Sequence, residues 1–115
     1  RREDDRREHL LSLLREFRTA MLVTHAEDGD LRSRPLEVAE VREDATLVFA
    51  TGLDTPKVAE LEDDARVNVV LQDGKRFLSL SGRARLVRER GMIERLWSEP
   101  WRVWFPGGKD DPSLV

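Results

Sequence analysis

The sequence contains no cysteine. That removes disulfides, thiolate metal sites and thiol catalysis together. It also fits a reducing compartment, so the cytoplasm is the expected location. Only two histidines are present, His9 and His25, far apart and without cysteine partners, so no metal site is expected. No apolar run approaches the ~20 residues of a membrane span, and no membrane association is expected. No signal peptide is visible, although the sequence opens at Arg1 rather than at methionine, which leaves that absence little weight. An excess of positive charge is lacking too. Twenty Lys and Arg stand against 23 Asp and Glu, for a net charge of -3, which argues against a general nucleic-acid binder. There is no internal repeat, no low-complexity segment and no acid–base or nucleophile constellation, so no catalytic residue is assigned.

What remains is a chain of 115 residues, 37% charged and 39% apolar. A single domain is expected, residues 1–115, burying roughly two-thirds of the surface of its unfolded chain. Residues 1–18 read as a helix whose Leu10, Leu13, Leu14 and Phe17 fall at i, i+3, i+4 and i+7, with Asp4 and Asp5 at its N-terminal end and His9 at the surface. Residues 19–26 read as a strand, and E-D-G-D as a hairpin turn in which Gly29 supplies a positive φ. Residues 31–41 alternate as a second strand, with Arg32 and Arg34 on the face of Leu36 and Val38. Pro35 cannot donate to a ladder, so this strand is expected to be an edge or bulged there. A third strand is expected at 46–51 after R-E-D-A, and a helix at 56–62 packing through Val58, Ala59 and Leu61. A fourth strand follows at 65–72, a D-G-K turn, a fifth and longest strand at 77–87, and a third helix at 89–97. Five strands joined by tight turns, with one inserted helix, point to a small antiparallel barrel.

The step into the inserted helix is unusual. Thr55 suits an N-cap and Pro56 the first helical position. Lys57 then sits at the positive end of the helix dipole, which is unfavourable by a few tenths to ~1 kcal/mol. A bound anion would reverse that sign, because helix N–H groups and Lys57 would both face it. With Arg32 and Arg34 upstream, a phosphate is the ligand expected here; the alternative is that Lys57 snorkels into water. The three tryptophans, Trp97, Trp101 and Trp104, are spaced i, i+4, i+7 and are followed by Phe105 and Pro106. They either seal the barrel, bury a subunit interface, or border an aromatic ligand.

Taken in order, M-L-V-T (21–24), G-D-L-R-S-R-P-L (29–36), L-V-F-A-T (47–51), D-T-P-K-V (54–58), R-V-N-V (66–69), S-L-S-G-R-A (79–84) and W-F-P-G-G-K-D-D-P (104–112) resemble the FMN-binding split-barrel superfamily of pyridoxamine 5′-phosphate oxidase. Among its types, the sequence is most similar to the small general stress proteins. The resemblance implies a six-stranded antiparallel split barrel with peripheral helices, and a homodimer with FMN at the subunit interface. It places Arg34, Thr55 and Lys57 at the FMN phosphate. Pro35, Leu36, Ala50 and Thr51 fall beside the flavin, with Trp104 facing it from the other subunit. Three departures matter. Phe77 stands where the oxidase has a polar flavin contact, Ala39 where it has a lysine, and its C-terminal substrate-phosphate ligands are missing, so pyridoxamine 5′-phosphate oxidase activity is not expected. Relatives continue past the positions of Leu114 and Val115 into a final strand, which is expected here either to be disordered or to lie beyond this sequence. The implied function is flavin-dependent redox chemistry on an unknown small substrate. The alternatives are a relative that binds the deazaflavin F420, FAD or haem, and a non-enzymatic flavin sensor.

Overall fold

The computed structural model describes residues 2–52 and 55–115. The side chain of Asp4, and the motif positions Leu53 and Asp54, lie outside the described residues. The chain runs α1 (Arg2–Leu14), β1 (Thr19–His25), β2 (Leu31–Val41), β3 (Leu47–Phe49), α2 (Pro56–Asp63), β4 (Arg66–Asp73), β5 (Arg76–Arg83) and α3 (Arg90–Leu96), and then two short 3-10 turns, Glu99–Val103 and Gly108–Asp110. The five strands pair antiparallel in the order β3-β2-β1-β4-β5 and curl into half a barrel. This is the mainly β, split-barrel architecture expected.

Two turns use glycine for positive φ: Gly29 is at φ 89° between β1 and β2, and Gly74 at φ 56° between β4 and β5, whereas the β2–β3 turn puts Ala45 at φ 69°. Period-two alternation then sorts the strands into two faces. Ala20, Leu22, Val69 and Leu71 point inward, where Leu14 at the end of α1 and Phe17 beyond that end complete the buried core; the helix stops short of residue 18, its expected limit. Pro35 lies opposite Met21 of β1, while β3 reaches β2 only from Val38 onward. Pro35 therefore sits on an open edge among the described residues, and a register irregularity follows between Val38 and Glu40.

Three further expectations are corrected. The longest strand is β2, with 11 residues, not β5, with 8. Arg83 of β5 pairs with Arg66, the first residue of β4, so the ladder ends where the partner strand begins although the alternation continues toward Leu86. The third strand is shorter than 46–51 because Thr51 pairs instead with the end of the chain: its N–H donates to the Val115 carbonyl (2.9 Å) and its carbonyl accepts from the Val115 N–H (3.0 Å). With the isolated bridge Gly52–Leu114, this brings the last residues onto the continuation of β3. Finally, α2 buries Val58 and Glu60 and leaves Ala59 exposed.

Candidate functional site: a cationic corner beside an apolar cleft

Arg34 points to the inner face of β2, where a guanidinium needs acceptors. It finds them on two neighbouring elements. Nη1 donates to the Leu22 carbonyl of β1 (3.3 Å) and to Thr24 Oγ1 (2.6 Å), and Nη2 donates to Glu60 Oε1 of α2 (2.9 Å). Thr24 Oγ1 in turn donates to Glu60 Oε1 at 2.9 Å, closing a ring of three side chains. Thr24 is fully buried and Glu60 is 9% exposed. Arg32 stands farther off, with Nε 3.6 Å from Glu60 Oε2. A guanidinium has more N–H groups than these contacts use, so Arg34 keeps donors for a further acceptor.

Lys57 lies on α2, three residues before Glu60, and engages no carboxylate among the described residues. Its ammonium is held below the ordinary lysine value, first by burial and then by the nearby charge of Arg34. An anion placed between Lys57 and Arg34 would remove that repulsion. Thr55 occupies the N-cap position with extended backbone, but its hydroxyl donates to the Gly52 carbonyl (2.8 Å) and not across the helix start.

Lys57 also lines a cleft of about 550 Å3 on the inner face. Leu36, Ala50 and Thr51 line the same cleft, opposite Leu80, Gly82, Leu86, Ile93, Leu96 and Trp101. The structure thus gathers Leu36, Ala50, Thr51 and Lys57 round one apolar space. Arg34 is not on its lining; it reaches α2 through Glu60, three residues after Lys57, and its charge is felt at Lys57. The structure does not bring Thr55, Pro35 or Trp104 to the cleft. Pro35 is exposed on the outer face, and Trp104 is 77% exposed. Of the other tail aromatics, Trp101 reaches the cleft while also packing on its neighbour Trp97. Trp97 and Trp101 meet edge to face at 5.9 Å, Arg102 stacks over Trp97, and Phe105 is buried.

The outer face has a different character. Its central rows are Pro35–Met21–Val70–Ser79 and Ser33–Val23–Asn68–Ser81. In so heavily charged a chain, this block carries no charge, and Phe77 stands exposed at its edge.

Comparison with known proteins decides the family. The sequence matches the description "Pyridoxamine 5'-phosphate oxidase like" over residues 5–115. The chain belongs to the pyridoxamine 5′-phosphate oxidase-like family. General stress protein 26 of Bacillus subtilis (strain 168) is 25% identical over 118 residues, spanning 98% of this chain and 81% of that protein. The general stress FMN/FAD binding protein of Xanthomonas citri is 31% identical, with a TM-score of 0.75 over 94% of this chain and 78% of that one. General Stress Protein 26 of Bacillus anthracis str. Sterne shares the fold, with a TM-score of 0.83 at 22% identity over 95% of this chain and 83% of that one. Among the described residues, no group of His, Cys, Asp and Glu is placed to hold a metal ion, and no helix is long and apolar enough to cross a membrane.

Within this family member, sequence reasoning missed Thr24 and Glu60. The signal for Glu60 was indirect: an arginine on the apolar face of a central strand must be paired when buried. Thr24 is the polar exception on the inner face of β1, where Ala20, Leu22 and Ala26 are its buried companions.

Proposed function

We propose that this chain is a flavin-binding protein that prefers FMN. Arg34, Lys57 and Thr55 take the phosphate, and Leu36, Ala50 and Thr51 border the flavin; Pro35, on the opposite face of β2, is not assigned to that border. The bound flavin would supply hydride or electron transfer to a small substrate, and the protein's part is binding, orientation and electrostatics. The observation that carries this reading is Lys57 on the wall of an apolar cleft, on the same helix as the Glu60 that binds Arg34. The two cations are suited to a phosphate and the cleft to a flat ring system. The FMN/FAD binding relative from Xanthomonas citri supports it. Oxidation of pyridoxamine phosphate is not part of the proposal, because Ala39 on the cleft wall offers no cation where the oxidase has lysine.

The protein acts as a homodimer with the flavin between subunits. The uncharged centre of the outer face suits the core of an interface, where charged residues are depleted, with Glu37, Arg66 and Arg83 toward its margins. Pro35 opens onto that face, and Trp104 stands free to reach a flavin held by a second copy. A ligand that binds only the dimer stabilises it by mass action, by about 2.7 kcal/mol at a hundredfold excess over Kd, and the coupling is reciprocal. Sedimentation with and without saturating FMN tests this. Tighter association with FMN is expected. An unchanged dimer dissociation constant beside clear FMN binding would place the site within one subunit.

A further inference from the structure

We propose that Glu60 is a positioning residue of the anion corner. It acts on a bound phosphate through Arg34, whose guanidinium it ties to the helix that carries Lys57. The inference rests on the proposed phosphate site and adds a residue that the site's own cations do not reveal.

Glu60 lies on a helix whose other buried residue is Val58, so the fold draws a carboxylate inward where an apolar side chain would pack more cheaply. Its oxygens are taken up by Thr24, Arg34 and, more loosely, Arg32, but not by Lys57. The helix therefore delivers two things from one face, since positions three apart are neighbours: Lys57, left for a ligand, and Glu60, which anchors the second cation. Thr24 is the linking piece. Its hydroxyl accepts from Arg34 Nη1, and it donates to Glu60 because a carboxylate can only accept. Without Glu60, Arg34 would keep Leu22 and Thr24 on Nη1, but the Nη2 side would be free to turn away.

A carboxylate near a phosphate has two opposed effects: it repels the anion directly, and it orients the arginine that attracts it. A mutant cycle separates them, with FMN, riboflavin and inorganic phosphate as probes. Glu60→Ala is expected to weaken FMN roughly tenfold, the scale of one charge-assisted hydrogen bond, and to leave riboflavin unchanged. Glu60→Gln keeps an acceptor for Arg34 and should stay within about threefold of wild type; being isosteric, it also provides a test if Glu60→Ala fails to fold. In an Arg34→Gln background, Glu60→Ala should no longer weaken FMN, because only the repulsion is left to remove. Equal losses for FMN and riboflavin, equal losses in both Arg34 backgrounds, or tighter FMN binding by Glu60→Ala with Arg34 present would each overturn the proposal. Inorganic phosphate, read as a rise in Tm of the flavin-free protein at constant ionic strength, separates this idea from the flavin reading. If FMN does not bind but phosphate raises Tm, and Glu60→Ala abolishes that rise only when Arg34 is present, the flavin reading fails and Glu60 keeps its role. If neither probe binds, Glu60 has no such role.

Discussion

The cationic corner and the tryptophan tail were both marked by sequence as places where flavin could bind, and the structure builds them in opposite ways. The corner is assembled from β1, β2 and α2. Thr24, Arg34 and Glu60 are far apart in sequence, mutually hydrogen-bonded and largely shielded from water. The tail pairs mostly with near neighbours, although Trp101 also lines the cleft. Trp97 donates to Glu99, Arg102 pairs with Glu99, and Val103 and Trp104 stand exposed at 78% and 77%. The corner's geometry is fixed by the fold of one chain. A binding role for Trp104 needs a second chain. The two regions should therefore respond differently to substitution.

The largest difference concerns stability. Arg34→Ala strands the buried Glu60 carboxylate without its main partner, and breaking such a pair costs about 3 kcal/mol or more. Urea unfolding of the flavin-free protein should show that loss, and a change below about 1 kcal/mol would mean that the corner is wetter and looser than its hydrogen bonds imply.

A smaller effect distinguishes the corner from the surface ion pairs. Glu40, on β2 at the irregular register, accepts hydrogen bonds from Arg95 of α3 and from Arg42, and these hold its carboxyl down to about 2. A folded-state pKa below the unfolded one gives stability that is present above about pH 4.5 and is lost as pH falls toward 2. The group is near the surface, so its contribution is about 0.5–1 kcal/mol and fades in high salt. Glu40→Gln should lower stability at pH 7 by that amount and converge with wild type near pH 2. Parallel curves over the whole range would show that the pair contributes nothing.

The smallest effect on the isolated chain belongs to Trp104. An exposed side chain far from any buried network changes stability by no more than about 0.5 kcal/mol when truncated. Trp104→Ala should leave the unfolding midpoint of the monomer in place while loosening the FMN-bound dimer. A clear monomer destabilisation would mean that the ring packs within its own chain.

Much of this was readable from the sequence, and the limits follow from physics. The bounds of β2 were legible at both ends because Gly29 dictates the turn before it and strand-type residues run on to Val41, through the irregularity after Val38. The true end of β5 was not, since Leu78 to Leu86 keep their alternation and only the start of β4 at Arg66 ends the pairing. At α2, local amphipathicity chose Ala59 over Glu60 because a carboxylate looks solvent-seeking until its arginine partner is known. Lys57 could be singled out locally, by its place in the first turn after Pro56. The other half of the corner depends on which strand residues lie beneath that helix, and no short stretch of sequence carries this information.

The central claim is that Lys57 and Arg34 hold the flavin's phosphate. The most direct measurement is a paired titration of wild type and Lys57→Ala with FMN and with riboflavin. Lys57 has no carboxylate partner among the described residues, so its loss should spare the fold. A ten- to hundredfold weaker FMN complex is expected, the value of a charge-assisted phosphate contact of roughly 1.5–3 kcal/mol, with riboflavin binding that is weak and equal in both proteins. FMN curves that overlay for wild type and Lys57→Ala would contradict the central claim and place the phosphate elsewhere.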